Sequence, residues 1–319
     1  MPIDEVLRTH LTNLQYNAAI DNSREVLCLA CAGSGKSRTL AFRIARLIAE
    51  GEDPHSIVAF TFTKKAAESI KNRVASALAA AGLEPTILGA IYIGTIHSFC
   101  QNILSEMDAK YRQFDVLDDN RLKLYLMSRY GELEIYNLRR ARGAAYFETI
   151  NKVADAWKTA NDELLPLQSV TQIDENLGSI LERMERQLDR DRFIDFSLMI
   201  RKIVEAFRNR DPGILRIVPN IRHLMVDEYQ DVNTSQEALI RELHEFITSL
   251  FVVGDDDQAI YAWRGADVSN ILTFRTRYPN CSPHTLSEIS PVTIPPISCI
   301  SSLTTLPITA RYRSILSSK

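Results

Sequence analysis

A short apolar run, Val26–Leu29, passes directly into ACAGSGKS (Ala30–Ser37) and then into a helix-length segment, Ser37–Glu50. A glycine-rich turn in that setting leaves few folds open, because a strand's carboxyl end must meet a helix's amino end across it. Gly33 and Gly35 let the backbone curl so that N–H groups point at phosphate oxygens, and the helix terminus adds positive potential. Ala32, Gly33, Ser34 and Gly35 then form a cradle, Lys36 reaches the outer phosphates of a nucleotide, and the Ser37 hydroxyl ligates Mg²⁺. The first position of the turn is Ala30 rather than glycine, a small change.

Other β-branched-rich runs look like buried strands: Ile57–Thr61, Ile91–Gly94, His223–Val226 and Phe251–Gly254. With Ser37–Glu50 and Lys64–Ala81 between the first three strands, this part reads as βαβαβ and a parallel sheet. From Leu104 to Arg192 the chain turns to long, charged, helix-periodic segments with no strand expected, which predicts a helical insertion. Trp157 falls on an apolar stripe there with Ile150, Val153 and Ala154, as a core residue. Cys28 and Cys31 have CxxC spacing, yet Cys28 lies in a strand and no second pair completes a metal site, so they read as a buried thiol and a loop thiol.

Two further segments carry chemistry. In MVDEYQD (Met225–Asp231) two acids follow an apolar strand, so Asp227 is placed to hold Mg²⁺ and Glu228 to polarise an attacking water. GDDDQAIYAWRGA (Gly254–Ala266) puts carboxylates, a glutamine, two aromatics and an arginine after another apolar run. That mixture suits contact with a polar ligand and with flat rings, a nucleotide on one side and nucleic-acid bases on the other. The net charge of −3 gives no general attraction to phosphates, so DNA binding would need a local basic and aromatic surface. No apolar run is long enough to span a bilayer, no targeting segment is evident, and the cytoplasm is the expected compartment.

Taken together, LTNLQYNAAI, ACAGSGKSRTL, AFTFTKKAAESIKNRV, GTIHSFC, IDFSLMI, HLMVDEYQDVNTSQ and GDDDQAIYAWRGAD resemble, in order and spacing, the N-terminal half of a UvrD/Rep/PcrA-type superfamily 1 DNA helicase. The resemblance implies an α/β fold: a RecA-like P-loop NTPase domain with a parallel sheet and an inserted all-helical subdomain. The implied boundaries are 1–104 and 193–285 for the RecA-like domain, 105–192 for the insertion, and 286–319 for an irregular tail. It implies ATP and Mg²⁺ as cofactors, and single-stranded or 3′-tailed duplex DNA as partner, with 3′ to 5′ translocation. Position by position, Gln15 matches the glutamine that reads adenine and Arg38 a residue near the nucleotide. Lys36, Asp227, Glu228, Gln258 and Arg264 match the hydrolytic machinery, with Gln258 sensing the γ-phosphate. Phe62, Thr63, His97, Tyr261 and Trp263 match the DNA track, the last two as stacking platforms.

The chain departs from the family in two places. Lys64 stands where asparagine is common, and after Thr285-Leu286-Ser287-Glu288 the sequence reads Ile289-Ser290-Pro291 where an arginine-bearing motif is expected. Arg311-Tyr312-Arg313-Ser314 repeats that motif superficially, but too late in the chain. The glycine-free, proline-rich stretch from Ser282 to Lys319 is not expected in a folded domain, and after Glu288 it reads as out of frame. Two other expectations therefore stand beside an active helicase: a truncated module that binds nucleotide and single strands with impaired hydrolysis, or the motor part of a helicase–nuclease.

Overall fold

The computed structural model describes residues 1–31, 33–255 and 269–286. Their described residues form two compact units, one of 1–113 with 199–286, the other of Phe114–Leu198.

The first unit is built on a six-stranded sheet, β1 (Glu25–Ala30), β2 (Ile57–Thr61), β3 (Tyr92–Thr95), β6 (His223–Val226), β7 (Ser249–Gly254) and β8 (Ser282–Leu286), in the order β3-β2-β6-β7-β1-β8. Every pairing is parallel, as the βαβαβ pattern predicts. β2, β6 and β7 are buried along their whole length, and β1 at all but one residue. Their uninterrupted apolar runs are what a sheet covered on both faces demands. Cys28 is buried and Cys31 exposed.

Parallel alignment puts the carboxyl ends of all these strands on one side, where the helices Lys36–Ala49, Lys64–Ala80 and Ile96–Met107 begin. Thr63 caps the second by accepting from the Ala66 N–H (3.1 Å), and Thr95 caps the third by accepting from Ser98 (3.2 Å). Two buried arginines fasten the helix Asn13–Ile20 to this frame. Arg43 donates to the carbonyls of Ala18 (3.3 Å) and Asp21 (2.6 Å) and lies over the Phe251 ring, while Arg46 donates to the Ile20 carbonyl (2.9 Å) and Asn22 (2.8 Å). These contacts satisfy carbonyls that the helix end leaves open.

β8 corrects the expectation for the tail, because Ser282–Leu286 belongs to the sheet and Leu286 to its core. Pro283 is tolerated because β8 is an edge strand. Asp21 grips the strand through His284 Nε2 (2.7 Å), and that contact helps hold the Asp21 carboxyl well below the usual range against the opposing pull of burial. The reading of the chain after Glu288 as out of frame lies outside the described residues.

The second unit packs the helices Asp119–Ser128, Ile135–Arg142, Tyr146–Asp162, Leu167–Ile173 and Glu175–Asp191. It is not wholly helical: β4 (Asp115–Leu117) pairs in parallel with β5 (Phe193–Asp195). Three-residue strands give too short an alternation to register against long helical periods. Trp157 is fully buried, as its stripe predicts, and its indole N–H also donates to Asp195 Oδ2 (2.6 Å). The other Asp195 oxygen accepts from the N–H groups of Ser197 (3.0 Å) and Leu198 (3.1 Å). Burial pushes the Asp195 carboxyl up, and these donors oppose it.

Trp157→Phe keeps most of the packing but leaves that carboxylate short of a donor. It should destabilise the fold by about 1–3 kcal/mol in urea unfolding followed by circular dichroism, whereas a purely apolar role for Trp157 predicts a smaller loss.

Candidate functional site

β6, β7 and β1 are neighbours in the sheet, and their carboxyl ends carry DEYQD, Gly254-Asp255 and the Ala30–Ser37 turn. Gly33 and Gly35 adopt φ of 82° and 86°, the left-handed region that favours glycine. A side chain at Gly35 would also collide with the Gln15 amide. That amide donates from Nε2 to the Ser34 carbonyl (2.9 Å), while its oxygen accepts from the Thr12 N–H (3.1 Å) in a capping box. Gln15 therefore braces the turn from behind. The Ser34 hydroxyl is buried with no partner among the described residues.

The Lys36 ammonium, 9% exposed, lies 2.9 Å from Glu228 Oε2 and 3.6 Å from Asp255 Oδ2. Beside it the Ser37 hydroxyl donates to Asp227 Oδ2 (3.1 Å). Residues 190 or more apart in sequence thus meet because their strands are adjacent. Burial, then the neighbouring Glu228 charge, push the Asp227 carboxyl up to about 6, against the Ser37 hydrogen bond. Glu228 itself has φ 51°, a left-handed conformation uncommon for a side-chain-bearing residue and typical of strained functional positions.

These residues fit Mg²⁺ and a polyphosphate. A buried cation, paired glycines and an unpartnered hydroxyl form a cradle for phosphate oxygens. One hydroxyl and one carboxylate are the small protein share of an Mg²⁺ shell completed by phosphates and water. Among the described residues no cluster of three or more His, Cys, Asp or Glu side chains would hold a metal alone.

Two residues of this site were not singled out from the sequence. Gln230, buried, donates from Nε2 to Glu228 Oε2 (2.9 Å) and accepts from the Asp255 N–H (3.0 Å). Asp255 is 1% exposed beside Lys36. An amide two residues beyond a pair of acids was the available signal for the first, and the acid nearest the strand for the second.

Of the remaining sequence candidates, Phe62 and His97 are half-buried and Thr63 is exposed. They leave the sheet side by side, since Thr61 pairs with Thr95 at the ends of β2 and β3. Arg38 is exposed and faces an open groove of about 770 Å³ that it shares with His10, Phe42, Lys65 and Arg73. Ala32, Gln258, Tyr261, Trp263 and Arg264 lie outside the described residues. Among the described residues no helix is long and apolar enough to cross a membrane.

Comparison with known proteins adds an independent line. Residues 11–279 match the UvrD/REP helicase N-terminal domain. The ATP-dependent DNA helicase PcrA of Bacillus subtilis is 33% identical over 294 residues, covering 88% of this chain and 37% of that protein. The proteins of the same name from Staphylococcus aureus (strain Mu50) and Staphylococcus epidermidis are 31% and 32% identical, over 86% and 85% of this chain. The chain spans 36–37% of the length of these relatives.

The raised Asp227 carboxyl makes a signed prediction. Its folded value of about 6 stands above the ordinary 3.8, so its favourable contribution is complete below pH 3.8 and is lost as pH rises through about 6. Asp227→Asn should therefore stabilise the ligand-free protein by about 2 kcal/mol at pH 8, with the gap closing near pH 4. Denaturant unfolding at the two pH values checks it, and destabilisation at pH 8 would contradict it.

Proposed function

The chain belongs to the UvrD/REP helicase family, and from that premise we propose that it forms the ATP- and single-strand-binding portion of a DNA helicase translocating 3′ to 5′ in the cytoplasm. The observation that carries this reading is the buried Lys36 ammonium between Glu228 and Asp255, with the Ser37–Asp227 pair beside it.

In this reading the Gly33–Gly35 turn and Lys36 hold the β and γ phosphates, and Ser37 with Asp227 holds Mg²⁺. Mg·ATP supplies the phosphoanhydride bond and the negative charge to which Lys36 turns. Once Lys36 does so, Glu228 loses its closest cation, and its carboxylate is free to orient a water and accept its proton. Gln230 keeps that carboxylate aimed. Gln15 borders the base, Arg38 lies near the nucleotide, Gln258 senses the γ-phosphate, and Arg264 shares that network.

The DNA track begins where β2 and β3 end. Phe62 offers a half-buried ring to a base, Thr63 and His97 offer polar contacts to the backbone, and Tyr261 and Trp263 stack further bases. Stacking tolerates any sequence because each base presents a π face, which suits a motor that must pass along arbitrary DNA.

Titration with a fluorescent ATP analogue and with oligo-dT tests the reading. Lys36→Ala should weaken Mg·ATP roughly 10- to 100-fold, the value of a charge-assisted contact, in protein that still unfolds cooperatively. Phe62→Ala should weaken oligo-dT roughly 5- to 100-fold while leaving Mg·ATP unaffected. Unchanged nucleotide affinity in the first variant would remove the proposal's main support.

A further inference from the structure

The helix Asn13–Ile20 has no basic residue in its last turn, and the chain leaves it in extended conformation at Asp21. Its open carbonyls are met from the neighbouring helix, Lys36–Ala49. Arg43 Nη1 donates to the carbonyls of Ala18 (3.3 Å), Ala19 (3.5 Å) and Asp21 (2.6 Å), and Arg46 donates to the Ile20 carbonyl (2.9 Å) and to Asn22 Oδ1 (2.8 Å). The two arginines are 1% and 5% exposed. Burial, and after it the Arg46 charge, bring the Arg43 guanidinium down to about 10, so it is still a cation at neutral pH. Two cations buried at a cost thus sit at the negative end of one helix dipole.

At its other end the same helix meets the glycine turn through Gln15, itself 1% exposed. Nε2 donates to the Ser34 carbonyl (2.9 Å) while Oε1 accepts from the Thr12 N–H (3.1 Å), so the two ends of the amide cannot exchange. The Ser34 carbonyl and the Gly35 N–H belong to one trans peptide, in which they point in opposite directions. Drawing the carbonyl to Gln15 therefore turns the Gly35 N–H away from it. This peptide needs such a pin, because Gly35, at φ 86°, has no Cβ to resist rotation. A side chain could not replace the pin, since a Cβ at Gly35 would lie 2.3 Å from Gln15 Nε2.

We infer that Arg43 and Arg46 are positioning residues for phosphate binding: they lock the helix that bears Gln15 onto the helix that begins with Lys36, and Gln15 then holds the Ser34–Gly35 peptide with its N–H turned to a phosphate oxygen. The ligand this lock serves is a polyphosphate, with or without a base attached. That role rests on the phosphate binding proposed above and adds to what Gln15 does at the base. The contacts close a ring, from Lys36–Ala49 through the arginines, the helix Asn13–Ile20 and Gln15 back to the turn from which Lys36–Ala49 starts. Neither arginine belongs to the cradle.

Titration calorimetry with Mg²⁺ and inorganic tripolyphosphate, and in parallel with Mg²⁺ and a non-hydrolysable ATP analogue, tests the lock. Gln15→Met keeps the length and removes the donor; it should weaken both ligands by the same factor, roughly 5- to 100-fold. Arg46→Gln and the more deeply buried Arg43→Gln should weaken both together by roughly 3- to 10-fold. Arg46→Lys, which keeps a cation at the helix end, should recover part of the loss. If Arg43→Gln fails to fold, Arg46→Gln decides alone. A merely structural role lowers the melting temperature but leaves both affinities of the folded variants at the parent's values, and that result overturns the lock. A Gln15→Met protein that loses the ATP analogue yet keeps tripolyphosphate overturns it too, because Gln15 then acts on the base alone and the proposed function stands. A parent that binds the analogue without tripolyphosphate overturns the lock alone, and one that binds neither overturns both.

Discussion

Everything at this site depends on one buried charge. Lys36 is 9% exposed, and an ammonium so placed is tolerated only beside carboxylates. Its partners come from two other strands, Glu228 after β6 and Asp255 after β7, and the sheet order β6-β7-β1 brings all three ends together. The pairing therefore fixes the relative heights of three strands as well as the charge balance of the cradle. A polyphosphate is the ligand such an arrangement is suited to accept, since it can take over the lysine and release the acids.

Much of this was legible in the chain. Continuous apolar runs marked β1, β2, β6 and β7 because both faces of the sheet are covered, and the glycine turn marked where β1 gives way to the helix Lys36–Ala49. Lys36, Ser37, Asp227 and Glu228 were legible because each sits at the end of such a run. What escaped notice is tertiary. Gln230 becomes informative only when β7 lies beside β6, and Arg43 and Arg46 only when the helix end at Ala18–Ile20 lies above them. β8 was obscured by Pro283 and by the composition beyond it, although an edge strand can accept proline. β4 and β5 are too short for any period to announce them, and the Trp157 stripe shows packing without revealing the Asp195 hydrogen bond.

The site also keeps several groups in states they would not choose alone. Asp227 is buried next to another acid, Glu228 has a left-handed backbone, and the Ser34 hydroxyl has no partner among the described residues. Such features cost stability and persist where binding gains from them. The surrounding frame offsets the cost with satisfied contacts, such as the Thr12–Gln15 and Asn233–Gln236 capping boxes. The DEYQD turn thus has a strained, charged side facing Lys36 and a well-packed side facing Phe274 and Arg277.

The most direct test of the account is a crystal structure of the chain with Mg²⁺ and a non-hydrolysable ATP analogue. The account predicts the Lys36 ammonium on the β and γ phosphates and away from Glu228, with Mg²⁺ between Ser37 and Asp227. A bound nucleotide with Lys36 still paired to Glu228 and Asp255, and the phosphates elsewhere, would contradict it.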